Sequence, residues 1–229
     1  MYGCNKLALT ITIYNHVYRE GLKVSAFNIF LKEGNKAAEK VAELVVKNNT
    51  VLKQVLEGAV SESKRVKNAS AKCLREVSRI KPKKLYPSFD FFVELIEGDD
   101  TILKWNAIEV LSNLTITDTE NKFNGRILNK YISLLSDESM VTAANTISAL
   151  GKVALNKPRL GKKISEELVK VDTLPHSAEC RNILAGKALD SIGIYIDEMK
   201  YKKEIIQFAE KHLTNRRNTT RIKAGKLLK

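Results

Sequence analysis

The sequence predicts an all-α protein in which pairs of helices repeat along the chain and stack into a right-handed α-α superhelix of about five pairs. Apolar residues recur at three- and four-residue spacing over most of the chain, as they do on amphipathic helices. Proline and glycine are scarce, at 4 and 11 of 229 residues, so long irregular segments have few places to lie. Residues suited to begin a helix also recur 38 positions apart, at Ser63, Thr101, Ser139, Ser177 and Asn215.

This ladder of polar residues indicates where the second helix of each pair begins. Serine, threonine and asparagine are favoured before a helix because their side-chain oxygen accepts a hydrogen bond from an unpaired N–H of the first turn. A repeat of this length is typical of helical arrays, in which each unit buries its apolar face only against its neighbours. We therefore expect each pair to have an outer helix followed by an inner helix, which the ladder residue begins.

Local signals place the helices in order along the chain. Pro82 and Pro158 stand where new helices can begin, because the missing N–H of proline costs little at the first helical position. A first helix is expected over residues 36–47, and the pairs follow at 50–59 and 63–80, 84–117 with a break at Gly98, 120–136 and 139–155, 158–172 and 177–195, and 200–213 and 216–228.

The unit 84–117 illustrates the pattern. Phe89 and Phe92 recur at helical spacing in the outer helix, Gly98 ends that helix, and the acidic residues up to Asp100 favour the start of the next one. Leucines are expected at matching depth in the five inner helices, at Leu74, Leu111, Leu150, Leu189 and Leu228.

The first 35 residues do not fit the repeat. Residues 7–14 alternate in the manner of a strand, and residues 22–33 predict a short helix. We therefore divide the chain into an N-terminal arm or cap, 1–35, and a helical repeat domain, 36–229.

The helix pairs resemble HEAT repeats, which are armadillo-like helical units, because an aspartate lies between the helices and a proline stands at the turn or helix start. The likeness to prokaryotic HEAT-repeat proteins covers about residues 37–229, although the arginine that many HEAT inner helices carry is missing. It implies an α-solenoid but no single function, since such arrays serve many roles. The residues that carry it are Lys104, Trp105, Asn106, Ala107, Ile108, Asn113, Leu114, Asp118, Asn121, Lys122 and Phe123.

The chain is a basic protein, with a net charge of +13 that is distributed in bands. Residues 62–84 contain nine basic and two acidic side chains, whereas residues 85–121 contain one basic and eight acidic ones. Residues 122–163 and 199–229 are basic again. Bands of alternating sign favour a partner with complementary charge over a uniform nucleic-acid groove, although nucleic-acid binding through the basic bands stays an alternative.

Several classes of function find no support in the sequence. The three cysteines and three histidines are scattered, which predicts free thiols in a reducing compartment and no metal or other cofactor. There is no glycine-rich phosphate loop and no catalytic triad pattern, so we expect no enzyme. The apolar run at residues 7–14 is too short to span a membrane and follows no basic segment, so we expect a cytoplasmic protein.

The inner helices are expected to line the concave face, where such arrays bind partners. Asparagine is unfavourable inside a helix, so the asparagines there need compensation. Either amides bond one another between adjacent repeats, or they form a row presented to a ligand, and both interpretations stay open. The candidate partner-binding residues are Asn68, Arg75, Asn106, Glu109, Asn113, Asn145, Lys152 and Asn182.

Trp105, the only tryptophan, is a possible anchor for a partner. A second interpretation is packing, with Ile108 and the aromatic residues Phe89, Phe92 and Phe123. A third arises because Trp105 and Glu109 lie one helical turn apart, which is similar to the base-binding pair of HEAT-like alkylpurine DNA glycosylases. In that family the carboxylate is usually Asp, and a second tryptophan is absent here.

We therefore expect a non-catalytic scaffold that binds a protein or peptide partner on the concave face. The alternatives are a nucleic-acid-binding protein that uses the basic bands and, less favoured, a DNA glycosylase.

Overall fold

A computed structural model describes residues 26–198 and 202–229, and all regular structure in these ranges is helical. The all-α class is thus confirmed. The helices are α1 Ala26–Glu33, α2 Ala38–Lys47, α3 Asn49–Ala59, α4 Lys64–Ile80, α5 Pro82–Leu85, α6 Phe89–Glu97, α7 Thr101–Leu114, α8 Gly125–Leu134, α9 Met140–Asn156, α10 Pro158–Leu168, α11 Ala178–Gly193, α12 Lys203–His212 and α13 Asn218–Leu227. The strand-like segment 7–14 lies outside the described residues.

Five helices, α4, α7, α9, α11 and α13, form a row that we call the inner row. Each member packs directly on the next member of the row. The preceding helices α3, α6, α8, α10 and α12 pack against members of this row. Helix α1, within the predicted N-terminal arm or cap, packs on α3 and α4 with Phe30 fully buried.

A single hydrophobic core runs along the inner row. The leucines predicted at matching depth are buried in four of its helices, at Leu74, Leu111, Leu150 and Leu189. The prediction is wrong for Leu228, which follows α13 and is 36% exposed. Leu228 is the C-terminal capping residue of α13 rather than a residue of its buried face.

The ladder of helix starts is correct at three positions and wrong at two. Ser139 and Ser177 cap α9 and α11, and Ser63 precedes α4 without a side-chain capping bond. Thr101 is instead the first residue of α7, because the Asp100 carboxylate caps the helix by accepting from two backbone N–H groups. A carboxylate is a stronger acceptor than a hydroxyl at the positive end of a helix.

Asn215 is the second wrong position, since α13 begins at Asn218 after the capping residue Arg217. Its side-chain oxygen still accepts a hydrogen bond from Arg217 N at 2.9 Å, so it orders the turn before the helix.

Asp100, Asp137 and Asn215 lie in the turns before inner-row helices, and each binds a residue of the preceding inner-row helix. The Asp100 carboxylate lies 2.5 Å from Lys67 Nζ, and the Asp137 carboxylate lies 3.2 Å from Lys104 Nζ. Before α13, Asn215 Nδ2 donates to Asn182 Oδ1 at 2.9 Å. These side chains also accept from a backbone N–H two residues later: Asp100 from Ile102, Asp137 from Ser139 and Asn215 from Arg217. We call them the turn ladder. Each member orders its own turn and ties two repeats together.

Asp118 joins three segments between the repeats. Its carboxylate accepts from the Tyr86 hydroxyl at 2.6 Å, from the N–H groups of Lys122 and Phe123, and from Lys157 Nζ at 2.8 Å. Burial alone would raise the pKa of Asp118, but the hydrogen bonds from Lys157, Tyr86 and the backbone outweigh it and lower the pKa below its ordinary value.

We expect this buried carboxylate to make stability depend on pH in the acid range. Because its pKa is lower in the folded chain, the unfolded chain binds more protons between the two pKa values. Its contribution is complete above the unfolded pKa of about 3.9 and is lost as the pH falls through the folded value. Asp118→Asn should lower the free energy of unfolding at neutral pH by about 1–3 kcal/mol and flatten its acid dependence.

Urea unfolding followed from pH 7 downward by circular dichroism measures both effects. The control is Asp90→Asn, at an exposed carboxylate with no ion pair to any residue in the described ranges. Parallel pH profiles for wild type and Asp118→Asn would contradict the assignment.

The backbones of α9 and α11 approach closely at Gly151. A Cβ atom there would lie 2.9 Å from the carbonyl oxygen of Ser191 and 3.0 Å from its Cα. Backbone atoms in a helix cannot move aside cheaply, so only glycine permits this contact between inner-row helices.

We expect Gly151→Ala to destabilise the protein even though alanine favours helix formation. The clash with the backbone should lower the free energy of unfolding by about 1–3 kcal/mol in urea titrations. Gly125→Ala is the matched control, since a Cβ at Gly125 would meet nothing within 4 Å, and it should be neutral or stabilising. Equal effects of the two substitutions would disprove the close approach.

Candidate functional site

A groove of about 280 Å³ opens where the inner-row helices α4, α7 and α9 meet, and we call it the α7 groove. Its lining residues on α7 and α9 recur at three- and four-residue spacing, which places them on one face of each helix. The groove is lined by six of the residues that the sequence analysis proposed: Arg75, Trp105, Asn106, Glu109, Asn145 and Lys152. Ile102, Ser112, Ser148 and Ala149 complete it.

A carboxylate lies between two cations in this groove. Glu109 of α7 is 3.7 Å from Arg75 Nε of α4 and 3.6 Å from Lys152 Nζ of α9. These separations are too long for hydrogen bonds, and the three side chains are 33–40% exposed. The pairs are therefore loose, and the charged groups remain accessible.

Trp105 is held by one edge. Its indole Nε1 donates to Thr142 Oγ1 of α9 at 2.9 Å, and Thr142 is buried. The ring is half-buried and lines the groove, so its polar edge is satisfied while part of its surface stays open to a partner.

Packing of Trp105 with three aromatic residues was one interpretation of the sequence. Phe89, Phe92 and Phe123 are buried in the core, and the described residues show no aromatic ring contact to Trp105. The tryptophan packs instead against the next inner-row helix through Thr142.

The two asparagines in the groove differ in their hydrogen bonding. Asn106 Nδ2 donates to Ile102 O of its own helix at 2.7 Å, while its Oδ1 is buried and has no hydrogen-bond partner in the described part of the chain. Asn145 is half-buried, and no hydrogen bond to its amide is seen among the described residues. Neither bonds another asparagine, so the predicted row of stacked amides does not form here.

Three of the predicted partner-binding residues lie outside the α7 groove, and two of them make hydrogen bonds within the protein. Asn113 bridges helices by donating to Ser78 Oγ and accepting from Lys152 Nζ. Asn182 accepts a hydrogen bond from Asn215 of the turn ladder. Within the described chain, Asn182 is the only predicted partner-binding asparagine that bonds an amide of another repeat. Asn68 lines a separate depression near the start of α4.

Sequence reasoning missed the partner of Trp105. Thr142 stands 37 residues after Trp105, which is about one repeat. Aligning neighbouring repeats would therefore have placed Thr142 beside Trp105. Ser112 follows Glu109 by three residues, so helical spacing could have placed it in the groove too.

The described residues contain no group of three or more His, Cys, Asp or Glu side chains that could hold a metal ion. Cys73 and Cys180 are free thiols, and burial followed by the charge of Glu76 raises the pKa of Cys73 to about 12. Cys4 lies outside the described residues. No helix in the described ranges has the length and apolar character needed to cross a membrane.

No protein-family model matches the chain, and no curated protein matches it. Two crystal structures of engineered proteins from a structural genomics consortium are similar in fold. One has a TM-score of 0.56 at 16% identity, with 85% of this chain and 88% of that chain covered. The other has a TM-score of 0.58 at 18% identity, with coverages of 85% and 90%. At such identities the likeness shows the fold alone.

Proposed function

We propose that this protein is a non-catalytic scaffold, a right-handed HEAT-like α-solenoid of about five helix pairs, whose α7 groove binds a protein or peptide partner. The observation that carries the proposal is the convergence of Arg75, Trp105 and Lys152 from three successive inner-row helices on one groove. A segment lying across these helices would contact all three side chains at once.

The composition of the groove fits an anchor site for a peptide. Tryptophan and arginine are the residue types that most often dominate binding at protein interfaces. The volume of about 280 Å³ is small for a complete ligand site, so it suits one or two side chains of a longer partner. The free amide of Asn145 offers a donor and an acceptor to a peptide backbone.

Nucleic-acid binding is the weaker alternative because three inner-row cations have acidic partners in a neighbouring repeat. Lys67 pairs with Asp100, Lys104 with Asp137 and, at 2.6 Å, Lys223 with Asp190. A protein that follows a phosphate backbone needs cations that are free to release counterions.

The glycosylase alternative has less support. Trp105 is the only aromatic residue that lines the groove, and Glu109 is flanked by two cations rather than poised beside an empty base pocket.

A peptide library displayed on phage tests the proposal. We expect it to yield ligands whose affinity, measured by fluorescence anisotropy of the labelled peptide, falls at least tenfold on Arg75→Glu. Lys83→Glu makes the same charge change at an exposed residue of α5 outside the groove and should leave the affinity within about twofold.

Three results would count against the proposal. The first is a library that yields no ligand, and the second is an equal loss of affinity in both variants. The third is tight binding of an oligonucleotide that weakens steeply with salt and equally in both variants, which would favour the nucleic-acid alternative.

A further inference from the structure

We infer that the α7 groove selects an acidic anchor, in which a carboxylate of the bound peptide accepts hydrogen bonds from the Arg75 guanidinium. This inference rests on the proposed function of the groove as a peptide site and names the chemistry of its partner.

The charge balance of the groove favours an anion. Two cations and one carboxylate line it, which leaves a net charge of +1. Lys72 lies three residues before Arg75 on α4, close to the same face, and no ion pair to it is seen among the described residues. The neighbouring Arg79 and Glu76 pair at 2.8 Å and cancel each other.

The donors of Arg75 are available. A guanidinium has five N–H donors in a planar fork that matches a carboxylate, and the structure assigns no hydrogen bond to the Arg75 guanidinium within the described chain. Its contacts to Glu76 and Glu109 are both 3.7 Å, too long to satisfy these donors. An incoming carboxylate at hydrogen-bond distance would satisfy them.

A basic anchor fits the same groove less well. It would have to pair with Glu109, which already has Arg75 and Lys152 within 4 Å, and both would repel a third cation. The open part of the Trp105 ring could attract a cation, so the sign of the preferred charge must be measured directly.

Trp105 allows a measurement that needs no known ligand. As the only tryptophan of the chain it reports on the groove through its fluorescence, which can be quenched by iodide or by caesium at constant ionic strength. Relative to free N-acetyltryptophanamide, we expect iodide to quench Trp105 more effectively than caesium. Arg75→Gln and Lys152→Gln should lower the iodide quenching constant, Glu109→Gln should raise it, and Lys83→Gln should leave it unchanged.

Two short peptides that differ only in a central glutamate or lysine then test the anchor itself, with binding followed by Trp105 fluorescence. We expect the acidic peptide to bind at least tenfold more tightly. Glu109→Gln should strengthen its binding because a competing carboxylate is removed, and Arg75→Gln should weaken it.

The outcomes distinguish failure of the acidic anchor from failure of the proposed peptide-binding function. If both peptides bind equally and Arg75→Glu weakens both, the peptide site stands and the acidic anchor is wrong. Preference for the lysine peptide, or weaker acidic binding in Glu109→Gln, also overturns the acidic anchor. If neither peptide binds and caesium quenches as well as iodide, both the inference and the peptide site fall.

Discussion

The structure depends on the direct packing of each inner-row helix on the next. Apolar side chains supply the stabilisation by burial, and side chains of the turn ladder set the alignment. Asp100 and Asp137 each order their own turn and bind a lysine of the previous inner-row helix, so one residue fixes both the start of a helix and its position relative to its neighbour. Burial alone would not fix that position, because it is not directional.

The turn ladder has a gap before α11, where the close approach of backbones takes its place. Pro175, 38 residues after Asp137, has no side-chain acceptor, and Arg181 binds the carbonyl of His176 instead. The same interface contains Gly151, at which the backbones of α9 and α11 approach closely. Contact between helix backbones thus fixes α11 on α9. Side-chain hydrogen bonds align the neighbouring pairs, α7 with α9 and α11 with α13.

The α7 groove follows from the same packing, since its two cations belong to different helices. Arg75 and Lys152 are 77 residues apart in sequence and meet only because α7 lies between their helices and contributes Glu109 to both ion pairs. Trp105 is anchored to α9 through Thr142, which keeps its position tied to the far wall. The geometry of this groove is therefore set by the packing of the helices, and no loop residue lines it.

The sequence predicted the helices and most of the groove because both follow from spacing along one helix. Apolar periodicity located the inner helices, and helical spacing from Trp105 and Asn106 to Glu109 placed these residues on one face. Contacts between helices were less accessible, because they depend on distances that no local pattern contains. Asn113 was expected at the partner surface, but its distance to Ser78 and Lys152 makes it an internal bridge. Likewise, the ladder of caps pointed to Thr101, but the Asp100 carboxylate accepts from two backbone N–H groups and also binds Lys67 of the previous inner-row helix.

The most direct test of a continuous, shared core is to unfold the protein in urea while following two signals. Trp105 fluorescence reports on α7 in the middle of the row, and far-ultraviolet circular dichroism reports on all the helices. A shared core predicts coincident transitions with one midpoint and one slope. Separate midpoints for the two signals would show that the repeats unfold independently, and would contradict the account of the inner row as one structural unit.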